Sequence, residues 1–163
     1  MIIRPSGSTE QLVYAPGRFD EDNAFIIDQP DGACALGGVL CSLGSRYAVE
    51  VAPNGLGRSW LDGSLLTAAD GTGKAWYITD PESGETWSPF LQPMNTRADE
   101  YEVKYRPGQV TLYCLKNKIA AYLTIATACE SPSEIWLVTL ENRSAKNRTV
   151  RFTSYIEPCA GIG

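Results

Sequence analysis

Between residues 75 and 157, apolar and polar side chains alternate along the chain in short runs. The clearest runs are "DEYEVKY", "QVTLYCL", "IAAYLTIATA", "EIWLVTLEN" and "TVRFTSYIE". A period of two residues is typical of β-strands that bury one face, and the runs are rich in the β-branched and aromatic residues that favour strands. Turn residues recur about every 8–12 positions, as they do in sandwiches and barrels. The pattern predicts an all-β domain, an antiparallel β-sandwich built as a succession of hairpins.

The turns between the runs support this prediction. A Pro-Glu-Ser-Gly turn at 81–84 separates "AWYIT" from "ETWSPF", which predicts a hairpin. Arg106-Pro107-Gly108-Gln109 has Pro and Gly where a type II turn needs them, and Lys116-Asn117-Lys118 forms the next turn. Upstream, "SRYAVEVAP" predicts a strand that ends at a Pro-Asn-Gly turn. No segment combines a helical stripe with helix caps, so no helix is predicted.

The chain has 163 residues, about the length of one domain, which is enough to bury a substantial core. Residues 1–23 are polar and interrupted by Pro and Gly, which predicts an extended N-terminal arm. Residues 24–163 are predicted to form the β-sandwich domain. The net charge is −5 with no basic run, which argues against a nucleic-acid partner.

No apolar run approaches the length of a membrane span, and the N-terminus lacks the apolar core of a signal peptide, so we expect no membrane association. The five cysteines are widely spaced and contain no C-x-x-C pair. This spacing indicates reduced core residues of a cytoplasmic protein, with disulfides as the alternative. The cysteines are Cys34, Cys41, Cys114, Cys129 and Cys159.

The residue types exclude most catalytic chemistry. Without histidine the chain has no Ser-His or Cys-His triad and no His-ligated metal, and its cysteines lack the paired spacing of a zinc site. The glycines at 71, 73 and 84 lie in turns between strands and do not open a phosphate-binding helix. The acids most open to consideration as an acid–base pair are interpreted as turn and surface residues: Asp70, Asp80, Glu82 and Glu85. We therefore predict no catalytic residue, no metal and no cofactor within the chain.

The tryptophans are the remaining candidates, because indole rings stack on the apolar faces of sugars. Trp136 lies among Ile, Leu and Val in mid-strand and is predicted to be a core residue. Trp60 follows a Gly-rich turn, with Arg58 and Asp62 beside it. For Trp60 and Trp87 two alternatives stay open, packing or contact with a ligand or interface.

Several phrases occur together in a fixed order: Asp80-x-x-x-Gly84-x-x-Trp87-Ser88-Pro89, Gln92-Pro93, Tyr101-Glu102-Val103, Glu134-x-Trp136, Leu140-x-Asn142 and Ser154-Tyr155-x-Glu157. In these phrases the chain resembles the N-terminal region of the glycoside hydrolase family 94 phosphorylases, which include cellobiose and chitobiose phosphorylases. The resemblance runs from about Phe19 to Glu157 and is strongest after Trp60. A departure occurs at "EVKYRPGQ", where the family usually has a His-Gly-Leu-Gly run.

The resemblance implies a galactose-mutarotase-like supersandwich, incomplete at its C-terminal end, followed in the full protein by an (α/α)6 barrel. It implies that β-linked disaccharides or oligosaccharides are cleaved with inorganic phosphate as co-substrate and with inversion of the anomeric centre. The general acid, an aspartate, then lies in the barrel. The chain is then an inactive scaffold with dimerisation and cleft-wall roles, expected to form a homodimer. Candidate carbohydrate-binding or interface residues are Arg58, Trp60, Trp87 and Gln92. The alternative is a free-standing carbohydrate-binding or self-associating module.

Overall fold

The structure is a computed structural model that describes residues 17–28 and 38–159. Within these ranges the chain forms thirteen β-strands and no helix. The strands are β1 (Arg18–Phe19), β2 (Phe25–Ile27), β3 (Gly38–Cys41), β4 (Tyr47–Val51), β5 (Gly57–Leu61), β6 (Ser64–Leu65), β7 (Lys74–Thr79), β8 (Thr86–Trp87), β9 (Glu100–Arg106), β10 (Gln109–Lys116), β11 (Ile119–Thr127), β12 (Glu134–Asn142) and β13 (Arg151–Ile156).

The strands form three antiparallel sheets. The largest has six strands in the order β1-β2-β9-β10-β11-β12, the second has four in the order β3-β4-β5-β6, and the third has three in the order β13-β7-β8. Core residues from all three sheets belong to one hydrophobic cluster. The two smaller sheets therefore form a second layer over the inner face of the six-stranded sheet.

Turn chemistry explains the hairpins. Between β9 and β10 the loop is Pro107-Gly108, and Gly108 has the positive φ of +79° that the second position of a type II turn requires. Between β10 and β11, Asn117 and Lys118 both adopt positive φ, as in a type I′ turn, whose twist matches that of the flanking strands. The hairpin of β7 and β8 is also present, with Ile78 opposite Trp87.

One predicted connection is wrong. β12 and β13 do not form a hairpin: β13 leaves the six-stranded sheet and pairs with β7, with Phe152 opposite Ile78. The intervening polar loop is anchored by Arg148, which donates to Asp80 at 2.6 Å and to the carbonyl of Asn117 at 3.2 Å. These contacts carry the chain from one layer to the other, so the succession of hairpins ends at β12.

Two aromatic residues join the layers. Trp76 on β7 stacks on Trp136 on β12, with ring centroids 3.7 Å apart, and Phe90 packs beside them. Next to this stack, Lys74 and Glu134 form an ion pair at 2.6 Å, and the Lys74 side chain is only 2% exposed. The prediction that Trp136 packs against the core is confirmed.

The structure also bears on the N-terminal arm and on the predicted burial of the cysteines. The described end of the N-terminal arm includes β1, which pairs with β2 at the edge of the six-stranded sheet. All four described cysteines are free, but only Cys114 is buried. The predicted core placement is wrong for the other three. Cys41 lies at an outward position of β3, Cys129 lies in the loop after β11, and Cys159 lies beyond the last strand. Cys34 lies outside the described residues.

Candidate functional site

Arg58 and Trp60 lie together on the outer face of the four-stranded sheet. Both are on β5, two residues apart, so their side chains leave the sheet on the same side. Across the sheet, Arg58 is opposite Glu50 and Trp60 is opposite Ala48. On the other flank, Trp60 is opposite Leu65. We call these five residues the Trp60 platform.

The platform holds its cation in a fixed orientation. Arg58 donates through Nε to one carboxylate oxygen of Glu50 at 2.7 Å and through Nη2 to the other at 3.3 Å. The guanidinium carbon lies 5.8 Å from the ring centroid of Trp60, within the range of a cation–π contact. Planar, bidentate pairing orients a guanidinium well. An indole ring between small and aliphatic neighbours, with an oriented Arg beside it, is suited to stacking on a sugar ring and donating to its hydroxyls.

Trp87 and Gln92 do not join the platform. Trp87 is on β8 and only 2% exposed, inside the core cluster, so its burial favours the packing alternative. Gln92 is half-buried in the tight segment that follows β8. Its N–H donates to the carbonyl of Asn54 at 2.8 Å, and its own carbonyl accepts from Ser88 at 3.0 Å. The structure therefore brings together two of the four candidates and separates the other two.

The interpretation of Asp80 as a surface residue is wrong. Its residue exposure is 5%, and its carboxylate lies 2.6 Å from Arg148, because the loop between β12 and β13 folds over the turn. The backbone N–H of Glu82 and the Arg148 guanidinium lower the pKa of this carboxyl. The hydroxyl and N–H of Thr72 likewise lower the pKa of Asp70. A general acid needs a pKa raised towards neutrality, so neither carboxyl is suited to that role.

The structure also reveals an arrangement that sequence reasoning did not identify. On the outer face of the six-stranded sheet, Tyr113 on β10 is directly opposite Tyr122 on β11. Their ring centroids are 5.2 Å apart at an interplanar angle of 34°. Arg143 donates to both hydroxyls, at 2.8 and 2.7 Å. The alternation marks both tyrosines as outward, but only the strand register shows that they are neighbours. We call this pair with Arg143 the tyrosine cluster.

Comparison with known proteins identifies the family. Residues 43–162 match the family described as glycosyl hydrolase 94, supersandwich domain. The chain belongs to this family. The resemblance inferred from the sequence phrases is therefore confirmed, and so is the all-β, antiparallel fold expected of a supersandwich domain.

Similar proteins are phosphorylases that are much longer than this supersandwich domain. Solabiose phosphorylase of Paenibacillus borealis is 34% identical over 126 residues, which cover 77% of this chain and 16% of that protein. The 3-O-beta-D-glucopyranosyl-beta-D-glucuronide phosphorylase of the same organism is 33% identical over 88 residues, 53% of this chain and 11% of that protein. N,N'-diacetylchitobiose phosphorylase of Vibrio furnissii is 26% identical over 153 residues, which cover 86% of this chain and 19% of that protein.

None of the segments that the structure describes forms a helix long and apolar enough to cross a membrane.

Proposed function

We propose that this supersandwich domain is the N-terminal portion of an inverting glycoside phosphorylase that cleaves β-linked disaccharides or oligosaccharides with inorganic phosphate. The observation that carries the proposal is the family match over residues 43–162, combined with relatives that are all named as phosphorylases. The matched regions cover only 11–19% of those relatives. The catalytic groups then belong to a further region, for which an (α/α)6 barrel is the expected architecture.

Within that enzyme we assign the domain scaffold, dimerisation and cleft-wall roles in the cytoplasm. The support is a set of apolar side chains exposed on the two strands that end the six-stranded and three-stranded sheets. On β12, Ile135 and Leu137 are 56% and 62% exposed, and on β13 Tyr155 and Ile156 are 45% and 59% exposed. Edge strands with exposed apolar residues are normally covered by another element. The barrel and a second copy of the chain are the expected neighbours.

The enzyme proposal is tested with the reading frame downstream of residue 163. We expect an uninterrupted frame encoding a barrel, whose product forms sugar 1-phosphate from cellobiose, chitobiose or laminaribiose and phosphate. The 163-residue chain alone is expected to show no turnover, because an inverting phosphorylase needs a positioned acid and the resemblance places that acid in the barrel. Turnover by the isolated chain that is lost on replacing a single acid would contradict this assignment.

The Trp60 platform supports a second candidate, a free-standing carbohydrate-binding module. Here the chain binds a saccharide on the indole ring without cleaving it. A stop codon at the end of the chain, together with cellobiose binding that Trp60→Ala abolishes, would favour this candidate. Sedimentation of the chain at high concentration tests the association role, since a clean monomer would argue against a dimer formed by the domain alone.

A further inference from the structure

A shallow depression of about 440 Å³ lies on the outer face of the six-stranded sheet, beside the tyrosine cluster. Its size falls in the range of small-molecule sites. Three adjacent strands line it, and the outward positions of each strand supply the side chains. They are Glu102, Lys104 and Arg106 on β9, Thr111 and Tyr113 on β10, and Tyr122 and Thr124 on β11.

The register sets these side chains in two parallel rows across the sheet. Lys104, Thr111 and Thr124 are mutual cross-strand neighbours and form one row. Glu102, Tyr113 and Tyr122 form the second row, two residues away from the first along each strand. The depression therefore has two aromatic rings and a carboxylate on one side, and two hydroxyls and an ammonium group on the other.

The tyrosine rings are held in place from the opposite side. Tyr113 donates to Glu100 at 2.6 Å and Tyr122 donates to Glu141 at 3.1 Å, while Arg143 bridges both hydroxyls. Burial and Glu100 raise the pKa of Tyr113 to about 12, so the phenol stays neutral. Because the hydroxyls are engaged away from the depression, the rings offer it apolar surface.

The cations at the rim are already neutralised. Lys104 Nζ lies 3.6 Å from Asp20 and 3.5 Å from Glu102, and Arg106 Nη2 lies 3.4 Å from Asp22. An anionic ligand would have to compete with these carboxylates, so the site is not built for phosphate or an acidic peptide. Neutral hydroxyls facing aromatic rings suit a neutral molecule that has both apolar faces and hydroxyl edges.

We propose that this depression is a saccharide-binding site, distinct from the Trp60 platform, that takes a short neutral saccharide. The sugar ring stacks its C–H face on Tyr122, which is 37% exposed. Its hydroxyls bond to Thr111 and Thr124, with Lys104 at the end of the row. Such a site would hold a saccharide on the surface of the domain without taking part in its cleavage, so its occupancy does not depend on the chain being part of a phosphorylase.

The test is a titration of the isotope-labelled 163-residue chain with cellobiose, followed by amide chemical shifts. We expect the largest shifts in β10 and β11, around residues 111–113 and 122–124, with affinity on the order of millimolar. Tyr122→Ala should weaken binding about tenfold, since stacking on the ring is lost. Tyr122→Phe should bind like the original, because it keeps the ring and loses only the hydroxyl.

Tyr77→Ala is the matched control: Tyr77 is also a partly exposed tyrosine, but it lies on β7 in another sheet. It should leave cellobiose binding unchanged, and the amide spectrum of each variant reports whether it is folded. Shifts confined to β4 and β5 and abolished by Trp60→Ala would overturn this proposal while supporting a role for the Trp60 platform. Shifts caused equally by inorganic phosphate, or by dilution alone, would also overturn it, as would the absence of any shift.

Discussion

Two aromatic pairs lie on opposite faces of the six-stranded sheet and have different roles: Trp136 with Trp76 on the inner face, and Tyr113 with Tyr122 on the outer face. On the inner face Trp136 stacks on Trp76 of the other layer, with 3.7 Å between centroids; Trp76 is buried and Trp136 is partly buried against the core. On the outer face Tyr113 and Tyr122 lie 5.2 Å apart and remain in contact with water. The inner pair joins two layers, and the outer pair forms a surface. Similar rings stabilise a fold or present a site according to which side of one sheet they occupy.

The polar groups beside each pair differ in the same way. Lys74 next to the indoles is 2% exposed, and its burial lowers its pKa although the charge of Glu134 opposes this effect. Arg143 next to the tyrosines is 38% exposed and partly hydrated. Removing the partner of a buried charge lowers the folding stability strongly, whereas an exposed ion pair contributes little to that stability. The inner face is therefore predicted to be sensitive to substitution and the outer face tolerant.

The largest expected difference between the faces is in thiol reactivity. Cys114 follows Tyr113 in sequence but points into the core, where it is 1% exposed, and burial raises its pKa from 9.0 to about 12. At pH 8 this leaves about a thousandfold less thiolate than an unshifted thiol has, and the thiolate is the reactive species. Iodoacetamide labelling followed by mass spectrometry should modify exposed Cys129 quickly and Cys114 only after unfolding. Equal labelling rates in the native chain would show that the inner face is open.

The second largest effect concerns the aromatic pairs themselves. Trp76→Ala should lower the free energy of unfolding by about 3–5 kcal/mol, because it removes a buried indole and leaves a cavity between the layers. Tyr122→Ala, the matched change on the outer face, should cost less than about 1 kcal/mol. Urea unfolding monitored by circular dichroism measures both variants. Comparable losses would remove the distinction between the two pairs.

Much of this comparison was accessible from the sequence and part of it was not. The position of Trp136 in mid-strand among Ile, Leu and Val predicted a core residue, and Pro107-Gly108 predicted a turn, because both signals are local. The pairing of Tyr113 with Tyr122 depends on register, which single-strand patterns do not contain. The destination of β13 depends on contacts between distant segments, such as Arg148 with Asp80, and the same contacts bury an aspartate whose neighbours predict an exposed turn.

A smaller effect is expected at the ion pairs. Glu134→Gln leaves the ammonium of Lys74 without its charge partner, and should destabilise the chain by about 2–3 kcal/mol, less than for a fully buried pair because Glu134 keeps some contact with water. Glu102→Gln on the outer face, 32% exposed and 3.5 Å from Lys104, is the matched control and should cost less than about 1 kcal/mol. If both variants unfold at the same urea concentration, the buried ion pair contributes no more to stability than the exposed one.

The smallest effect concerns pH. Because the pKa of Asp80 is lowered from 3.8 in the folded chain, its stabilising contribution is complete above pH 3.8 and is lost as the pH falls through the folded pKa. The stability difference between the original chain and Asp80→Asn should therefore be constant near neutrality and shrink below pH 3.8. Urea midpoints at pH 7 and pH 3 measure this change. A difference that stays the same at pH 3 would mean that the carboxylate charge is not what stabilises the turn.

The crossing of β13 to β7 sets the order in which the chain folds. β9 to β12 are joined by short connections, so these strands pair through local contacts that form early. The contact of Arg148 with Asp80 spans 68 residues, and that of Lys74 with Glu134 spans 60. The three-stranded sheet must therefore wait for a distant segment to be synthesised. During that interval the edge of β7 that pairs with β13 is open on the ribosome, and an unpaired strand edge makes a nascent chain prone to aggregate.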